Sequence, residues 1–334
     1  MIKNNKEKIK LGQFFTIKDD WLTNPIKNFI LLSKCSIAYD PFAGNGNLLK
    51  CCKEKLNLDI KGLDIDPKLN WEINDSLNNI PKIENSIIIT NPPYVCKKKN
   101  TTEKLLLDDY FSNSKYDNIY YIALDRILES CDYCVVIVPE SIIFSNYEKR
   151  NRLTSITLLD KNIFNDTTCP ICIVCFDNKI KKFNEIKIYN NSSYITTYQN
   201  ILDWILEPKN NIKIEFNSKK GWLGLVGGDS KSGKEKIRFD FKENIKYDWN
   251  KISKRNSRYY SLIDINIPLN RRQEFIDKCN NMLNSYRKET LDLGLPTFKG
   301  YTTSGLKRKI LRFKNARALM ERVYEEMFIN YLLD

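Results

Sequence analysis

The sequence predicts an α/β protein with an open, mostly parallel sheet in its first half and a smaller basic module behind it. Three observations predict this. Residues 1–178 alternate short apolar runs with helical stretches. The apolar runs are continuous rather than alternating, as strands buried on both faces are. Two of them end in an acid and pass straight into a turn, which is where open α/β sheets carry their ligand sites.

The elements follow in order. Residues 36–40 form the first expected strand, and 40–46 (Asp40-Pro41-Phe42-Ala43-Gly44-Asn45-Gly46) turn into a helix over Asn47–Leu56. Asp59–Asp64 is a second strand ending in an acid, and Ser86–Thr90 is an apolar strand running into Asn91. Ile119–Ser130 reads as a helix, and 133–138, 156–160 and Ile171–Phe176 as further strands. After Asp177 the character changes. Residues 179–182 open a basic stretch, 221–233 are rich in glycine and serine, and 271–287 and 306–328 have the apolar spacing of amphipathic helices. The expected domains are therefore 1–178 and 179–334, with no internal repeat.

Charge supports the same division. The chain of 334 residues carries a net +13. Residues 1–178 hold 23 Lys and Arg against 23 Asp and Glu, whereas 179–334 hold 31 against 18. A neutral module beside one that binds a polyanion fits this better than a compositional bias, which would act on both halves. No apolar run nears the roughly 18 residues that span a bilayer, and no secretory signal is read, so a cytoplasmic location without membrane contact is expected. Ten cysteines in so long a chain suit reduced thiols. Cys131 and Cys134, and Cys169, Cys172 and Cys175, have metal-like spacing but sit in strand-like apolar runs. Core packing is the preferred reading over zinc, and no metal is expected. Histidine is absent altogether, which excludes imidazole-based general bases and Ser-His-Asp triads.

The motifs narrow the chemistry. Glycines at Gly44 and Gly46 permit a tight turn and close approach of the backbone to a ligand. Asp64 lies about 20 residues after that loop, where an acid accepts hydrogen bonds from ribose hydroxyls; Asp66 competes for the role. Asn74-Asp75-Ser76-Leu77 adds a polar patch one element later. Acids at these places argue against a pyrophosphate, and the chain has no Walker-type loop. A nucleoside bearing a cationic sulfonium fits better.

Asn91-Pro92-Pro93-Tyr94 is the strongest signal. The prolines make a rigid turn that lacks backbone donors. The Asn91 side-chain oxygen and the Pro92 carbonyl can both accept from an aryl –NH₂ group. That frees the nitrogen lone pair for in-line attack on a methyl group, with Tyr94 as a flat face for a base.

The set resembles the amino-methylating DNA methyltransferases, and its order resembles their gamma class, over about residues 11–177. The resemblance implies a Rossmann-like, S-adenosylmethionine-dependent methyltransferase sheet with a C-terminal target-recognition domain, acting on the N6 amine of adenine in double-stranded DNA. It places Gln13, Phe14, Phe15 and Thr16 in the N-terminal cofactor motif, and Asp40, Pro41, Phe42, Ala43, Gly44 and Gly46 in the main cofactor loop. Asp64, with Ile65 beside it, falls at the ribose acid and Asp75 at the acid that contacts the cofactor adenine. Asn91, which also borders the cofactor, begins the catalytic tetrapeptide, and Phe164 is similar to the residue that packs on the extruded base. The family acid at position 64 is often glutamate; aspartate is one methylene shorter, which changes the ribose contact. The resemblance further implies a flipped-out target base, a cognate restriction endonuclease as functional partner, and a monomer or weak dimer.

For DNA contact the sequence offers three stretches. Lys97, Lys98 and Lys99 open the loop 96–118, which is expected to be mobile and to close over DNA. Residues 251–260 contain Lys254, Arg255, Arg258 and Tyr260. Residues 299–314 contain Lys299, Lys307, Arg308 and Lys309. Basic residues among aromatic and polar ones suit phosphate and base contacts, while a solvated basic face is the plainer reading of each. Among competing functions, methylation of RNA adenine or of protein glutamine can use the same tetrapeptide, and a DNA-binding module with a vestigial cofactor fold is the non-enzymatic alternative. Carbon-5 cytosine methylation is excluded because the chain has no Pro-Cys dipeptide.

Overall fold

The computed structural model describes residues 19–98, 100, 107–160, 169–252, 259–301 and 307–329, with the side chains of 297–301 left aside. The chain divides into two compact units, Met1–Asn200 and Ile201–Asp334.

The described part of the first unit is built on a nine-stranded sheet. Its strands are β1 (Ile37–Asp40), β2 (Asp59–Asp64), β3 (Glu72–Ile73), β4 (Ser86–Thr90), β5 (Cys134–Pro139), β6 (Leu153–Leu158), β7 (Ile171–Phe176), β8 (Lys187–Asn190) and β9 (Ser193–Thr197). They lie in the order β3-β2-β1-β4-β5-β7-β6-β8-β9. The first five run parallel. β7 then inserts antiparallel between β5 and β6. Every residue of β4, β5 and β7 is buried, as the continuous apolar runs predict. Cys134, Cys172 and Cys175 are among these strand-core residues. The helices are α1 (Asn24–Ser33), α2 (Asn47–Leu56), α3 (Asp108–Ser112), α4 (Ile119–Ser130) and α5 (Tyr198–Asp203). Asn118 caps α4, its side chain accepting from the Tyr120 N–H at 3.3 Å.

Two expectations are corrected here. The boundary expected at 178/179 falls inside the first unit, because β8 pairs with β6 and β9 with β8. The basic stretch that suggested a new domain leads into the sheet instead. The +13 is therefore shared, with Ile201–Asp334 holding 27 Lys and Arg against 17 Asp and Glu. The strand expected at 156–160 is β6, which starts three residues earlier.

The second unit has an antiparallel sheet of β10 (Ile214–Phe216), β11 (Leu223–Val226), β12 (Arg238–Phe241) and β13 (Tyr260–Ile265), in the order β10-β13-β11-β12. Two helices, α6 (Arg272–Thr290) and α7 (Phe313–Phe328), share a core with it that includes Leu225, Ile263, Phe275, Leu283, Leu319 and Val323. β14 (Thr297–Tyr301) and β15 (Lys307–Lys309) pair antiparallel between the helices in sequence. The helix expected to begin at 306 thus begins at Phe313. β15 takes its first residues into a strand pair, and Ile310 bridges to Gly228. Arg287 binds Asp229 through two 3.0 Å hydrogen bonds and Asp292 through two more, of 2.7 and 2.9 Å. This knot ties the end of α6 to the turn after β11.

Candidate active site

β1 and β4 are neighbours in the sheet, yet the chain leaves them towards opposite flanks, to β2 on one side and β5 on the other. Such a switch point opens a crevice at the carboxyl ends of the strands. A cavity of about 230 Å³ lies there. Asp40, Pro41, Phe42, Ala43 and Gly44 line it from the turn after β1, and Asp64 and Ile65 from the end of β2. Asn74, Asp75, Ser76 and Leu77 add a further wall, and Asn91 and Pro93 come from the turn after β4.

The glycine turn is held by named bonds. The Gly44 N–H donates to Asp64 Oδ2 at 2.8 Å and the Phe42 N–H to Asp40 Oδ1 at 3.0 Å. Gly44 and Gly46 both have left-handed φ, +52° and +73°, which glycine adopts without steric cost. Gly46 does not line the cavity. Its face is covered by Trp71, whose ring would lie 2.6 Å from a Cβ placed there. The Trp71 indole N–H donates to the Gly44 carbonyl at 2.9 Å, and the same ring covers Gly62. Trp71 is thus a support of the turn that the sequence reading missed, because its loop has no periodicity to mark it.

Asp40 is fully enclosed, and burial pushes its carboxyl up to about 7. Hydrogen bonds from the Thr90 hydroxyl and the Phe42 N–H pull the other way, and nearby Asp64 adds to the rise. Asp75 accepts from the Tyr110 hydroxyl at 2.8 Å, from Asn78 Nδ2 at 2.7 Å and from the Leu77 N–H at 3.2 Å. Asp66 is absent from the lining, so of the two competing acids it is Asp64 that faces the cavity. The described lining includes three aspartates and no Lys or Arg. That set suits a cationic nucleoside and opposes a polyphosphate.

Residues 31–168 match the Eco57I restriction-modification methylase family. The match takes in less than half the chain and ends within the first unit. Among solved structures, the type I restriction-modification system methyltransferase subunit from Streptococcus thermophilus is 17% identical at a TM-score of 0.38, covering 57% of this chain and 53% of that one. A protein from Listeria monocytogenes assigned to the class I S-adenosylmethionine-dependent methyltransferases is 15% identical at a TM-score of 0.35, covering 53% and 68%. TrmN from Thermus thermophilus is 13% identical at a TM-score of 0.29, covering 45% and 47%. This chain spans about half the length of two of these three. No curated protein matches it.

The four residues of the turn after β4, Asn91 to Tyr94, are not equivalent. Asn91 and Pro93 reach the cavity, whereas Pro92 and Tyr94 are buried beneath them. The expectation that Tyr94 offers an open face is corrected. Its ring is only 9% exposed and packs edge-on against Tyr120, with centroids 6.3 Å apart. Its hydroxyl lies between two acceptors, Asn91 Oδ1 and the Ile137 carbonyl 2.7 Å away, and its single proton serves either. Burial holds that hydroxyl protonated well above its usual range.

The loop expected to close over DNA is, in its described part, packed on the domain. Cys96 bridges to Asn118, and Phe111 is 2% exposed among Leu77, Val95, Ile119 and Ala123. Lys97 and Lys98 remain exposed. Gln13, Phe14, Phe15, Thr16, Lys99, Phe164, Lys254, Arg255 and Arg258 lie outside the described residues, as does the Lys299 side chain.

In the second unit Lys309 is a further correction. It is 5% exposed, its ammonium donates to the Leu295 carbonyl at 3.2 Å, and its N–H donates to Asp229. It belongs to the Arg287–Asp229 knot and is not placed for phosphate. Arg308, half-buried, donates from Nε to the Asp229 carbonyl at 3.1 Å, and Lys307 is half-buried beside it. Tyr260 stacks on Tyr247 at 4.5 Å and its hydroxyl donates to Glu235 at 2.8 Å.

Proposed function

We propose that the protein is a site-specific DNA adenine-N6 methyltransferase that uses S-adenosylmethionine. One observation carries the reading: a single cavity is lined by the glycine turn, by Asp40, Asp64 and Asp75, and by Asn91. The cofactor, when bound, supplies a methyl group on a cationic sulfur. Asp64 suits the ribose hydroxyls, Asp75 an adenine amine, and the Asp40 carboxylate a cation. Asn91 holds the acceptor at the mouth of this set. Its amide oxygen has two lone pairs, so it can take a hydrogen bond from the target amine while keeping the one from Tyr94. Asn91 would thereby hold the amine with its lone pair free for the methyl group that the cofactor would supply, and the surplus proton of the nitrogen would pass to water. No imidazole is needed, in agreement with a chain that has none.

Adenine in a duplex must be flipped out to reach Asn91, at a cost of a few kcal/mol. Stacking on an aromatic side chain recovers about 1–3 kcal/mol; for Tyr94 to provide it, the ring has to leave Tyr120. The basic balance of the second unit suits the DNA backbone.

The test is to incubate the protein with labelled S-adenosylmethionine and mixed duplex DNA and to digest to nucleosides. Label in N6-methyladenosine is expected. Label in RNA or in protein glutamine instead would overturn the assignment. DNA affinity is expected to fall steeply with salt, and a flat response would count against duplex DNA as partner.

A further inference from the structure

The cavity has one wall that neither the glycine turn nor the strand ends provide. Leu107 and Tyr110 line it. They belong to α3 and its N-cap, within the segment that joins the catalytic turn to α4. The Tyr110 hydroxyl donates to Asp75 Oδ2 at 2.8 Å. This wall is built rather than draped. Asn100, 1% exposed, accepts from the Leu107 N–H at 3.0 Å and donates to Asp108 at 2.8 Å. Phe111, the residue after Tyr110, is sunk in the core beside Leu77, and Leu107 and Tyr110 pack against the same group.

We propose that α3 is part of the cofactor site and that Tyr110 is a cofactor-binding residue. Its ring packs on the nucleoside, and its hydroxyl orients the Asp75 carboxylate towards an exocyclic amine. This rests on reading the cavity as the S-adenosylmethionine site. A carboxylate offers about four acceptor positions. Tyr110, Asn78 and the Leu77 N–H occupy three on Asp75, which leaves one, held in a fixed direction, for an amine donor. Adenine presents such an amine. The segment after the catalytic turn therefore serves the cofactor through Tyr110.

The experiment titrates the full-length protein with S-adenosylhomocysteine by calorimetry, comparing wild type, Tyr110→Phe and Tyr110→Ala. Loss of one hydrogen bond is expected to weaken binding about 5-fold in Tyr110→Phe. Loss of the ring as well is expected to weaken it at least about 10-fold in Tyr110→Ala. The cofactor KM of Tyr110→Phe rises in step with its loss of affinity, and its DNA affinity without cofactor is unchanged. Wild-type cofactor affinity in Tyr110→Phe overturns the proposed role of the hydroxyl, and in a folded Tyr110→Ala it overturns the whole proposal. Reduced DNA affinity in Tyr110→Phe also counts against it. If wild type itself fails to bind S-adenosylhomocysteine, the cofactor reading falls first and this proposal with it.

Discussion

The Thr90 hydroxyl donates a 2.5 Å hydrogen bond to the Asp40 carboxylate. The two residues are 50 positions apart, each at the carboxyl end of its strand, and both are buried. Thr90 immediately precedes Asn91, and Asp40 opens the glycine turn. One bond therefore connects the turn that suits the cofactor to the turn that suits the target amine.

That bond leads to a pH prediction. Burial raises the Asp40 carboxyl from 3.8 to about 7, so the empty protein holds its proton more tightly than the unfolded chain does. The stability this group contributes is complete below about pH 4 and is lost as pH rises through about 7. Cofactor affinity follows the opposite course, because the carboxylate attracts a cation and the acid does not. Binding of S-adenosylmethionine is expected to tighten between pH 6 and 8, and Asp40→Asn to flatten the profile. Thr90→Val removes a bond that favours the carboxylate and should move the midpoint above 7. Calorimetry across pH checks both.

Asn91→Ala is expected to abolish turnover while cofactor binding survives. Asn91 contributes the acceptor for the amine, whereas the three aspartates of the cavity remain. Equilibrium binding beside a methylation assay separates these effects. Loss of cofactor affinity in this variant would mean that Asn91 acts chiefly on the cofactor.

Gly46→Ala should harm the cofactor site from a position outside the cavity. The residue has φ +73° and its new Cβ would lie 2.6 Å from the Trp71 ring. A non-glycine residue in that conformation costs about 1–3 kcal/mol, and Trp71 must shift away from the Gly44 carbonyl. Denaturant unfolding and cofactor affinity should both register the change.

In the second unit, Arg287→Ala leaves Asp229 nearly buried without its bidentate partner. Breaking such a pair costs about 3–5 kcal/mol, measurable as a drop in the denaturation midpoint.

Lys309→Met is expected to lower stability and to leave the salt dependence of DNA binding unchanged. Each phosphate contact adds about 0.9 to the slope of log affinity against log salt. A slope reduced by about that amount would show that Lys309 touches DNA after all.

Where local pattern sufficed, the sequence was read closely. Helices α2 and α4 and strands β2, β4 and β7 have the expected bounds, because each is a continuous run ended by an acid, a turn or a cap. What was missed depends on partners far along the chain. Thr90 reads as an ordinary strand residue until β1 brings Asp40 beside it. Tyr110 sits on a helix of five residues, too short for a period. Lys309 looks like one of a basic series, and only Asp229 and Leu295 reveal it as interior. The basic residues 179–182 suggested a new domain, but pairing of β8 with β6 decided otherwise.

Cys96 is the one exposed cysteine among the described residues, and it lies two positions after Tyr94. Thiol-directed reagents are therefore expected to modify it ahead of the strand cysteines, beside the turn that holds Asn91. Alkylation there would silence the protein by obstruction. Inactivation by such a reagent would imitate a nucleophilic thiol in an enzyme whose proposed chemistry uses none, and Cys96→Ser would retain activity while escaping the reagent.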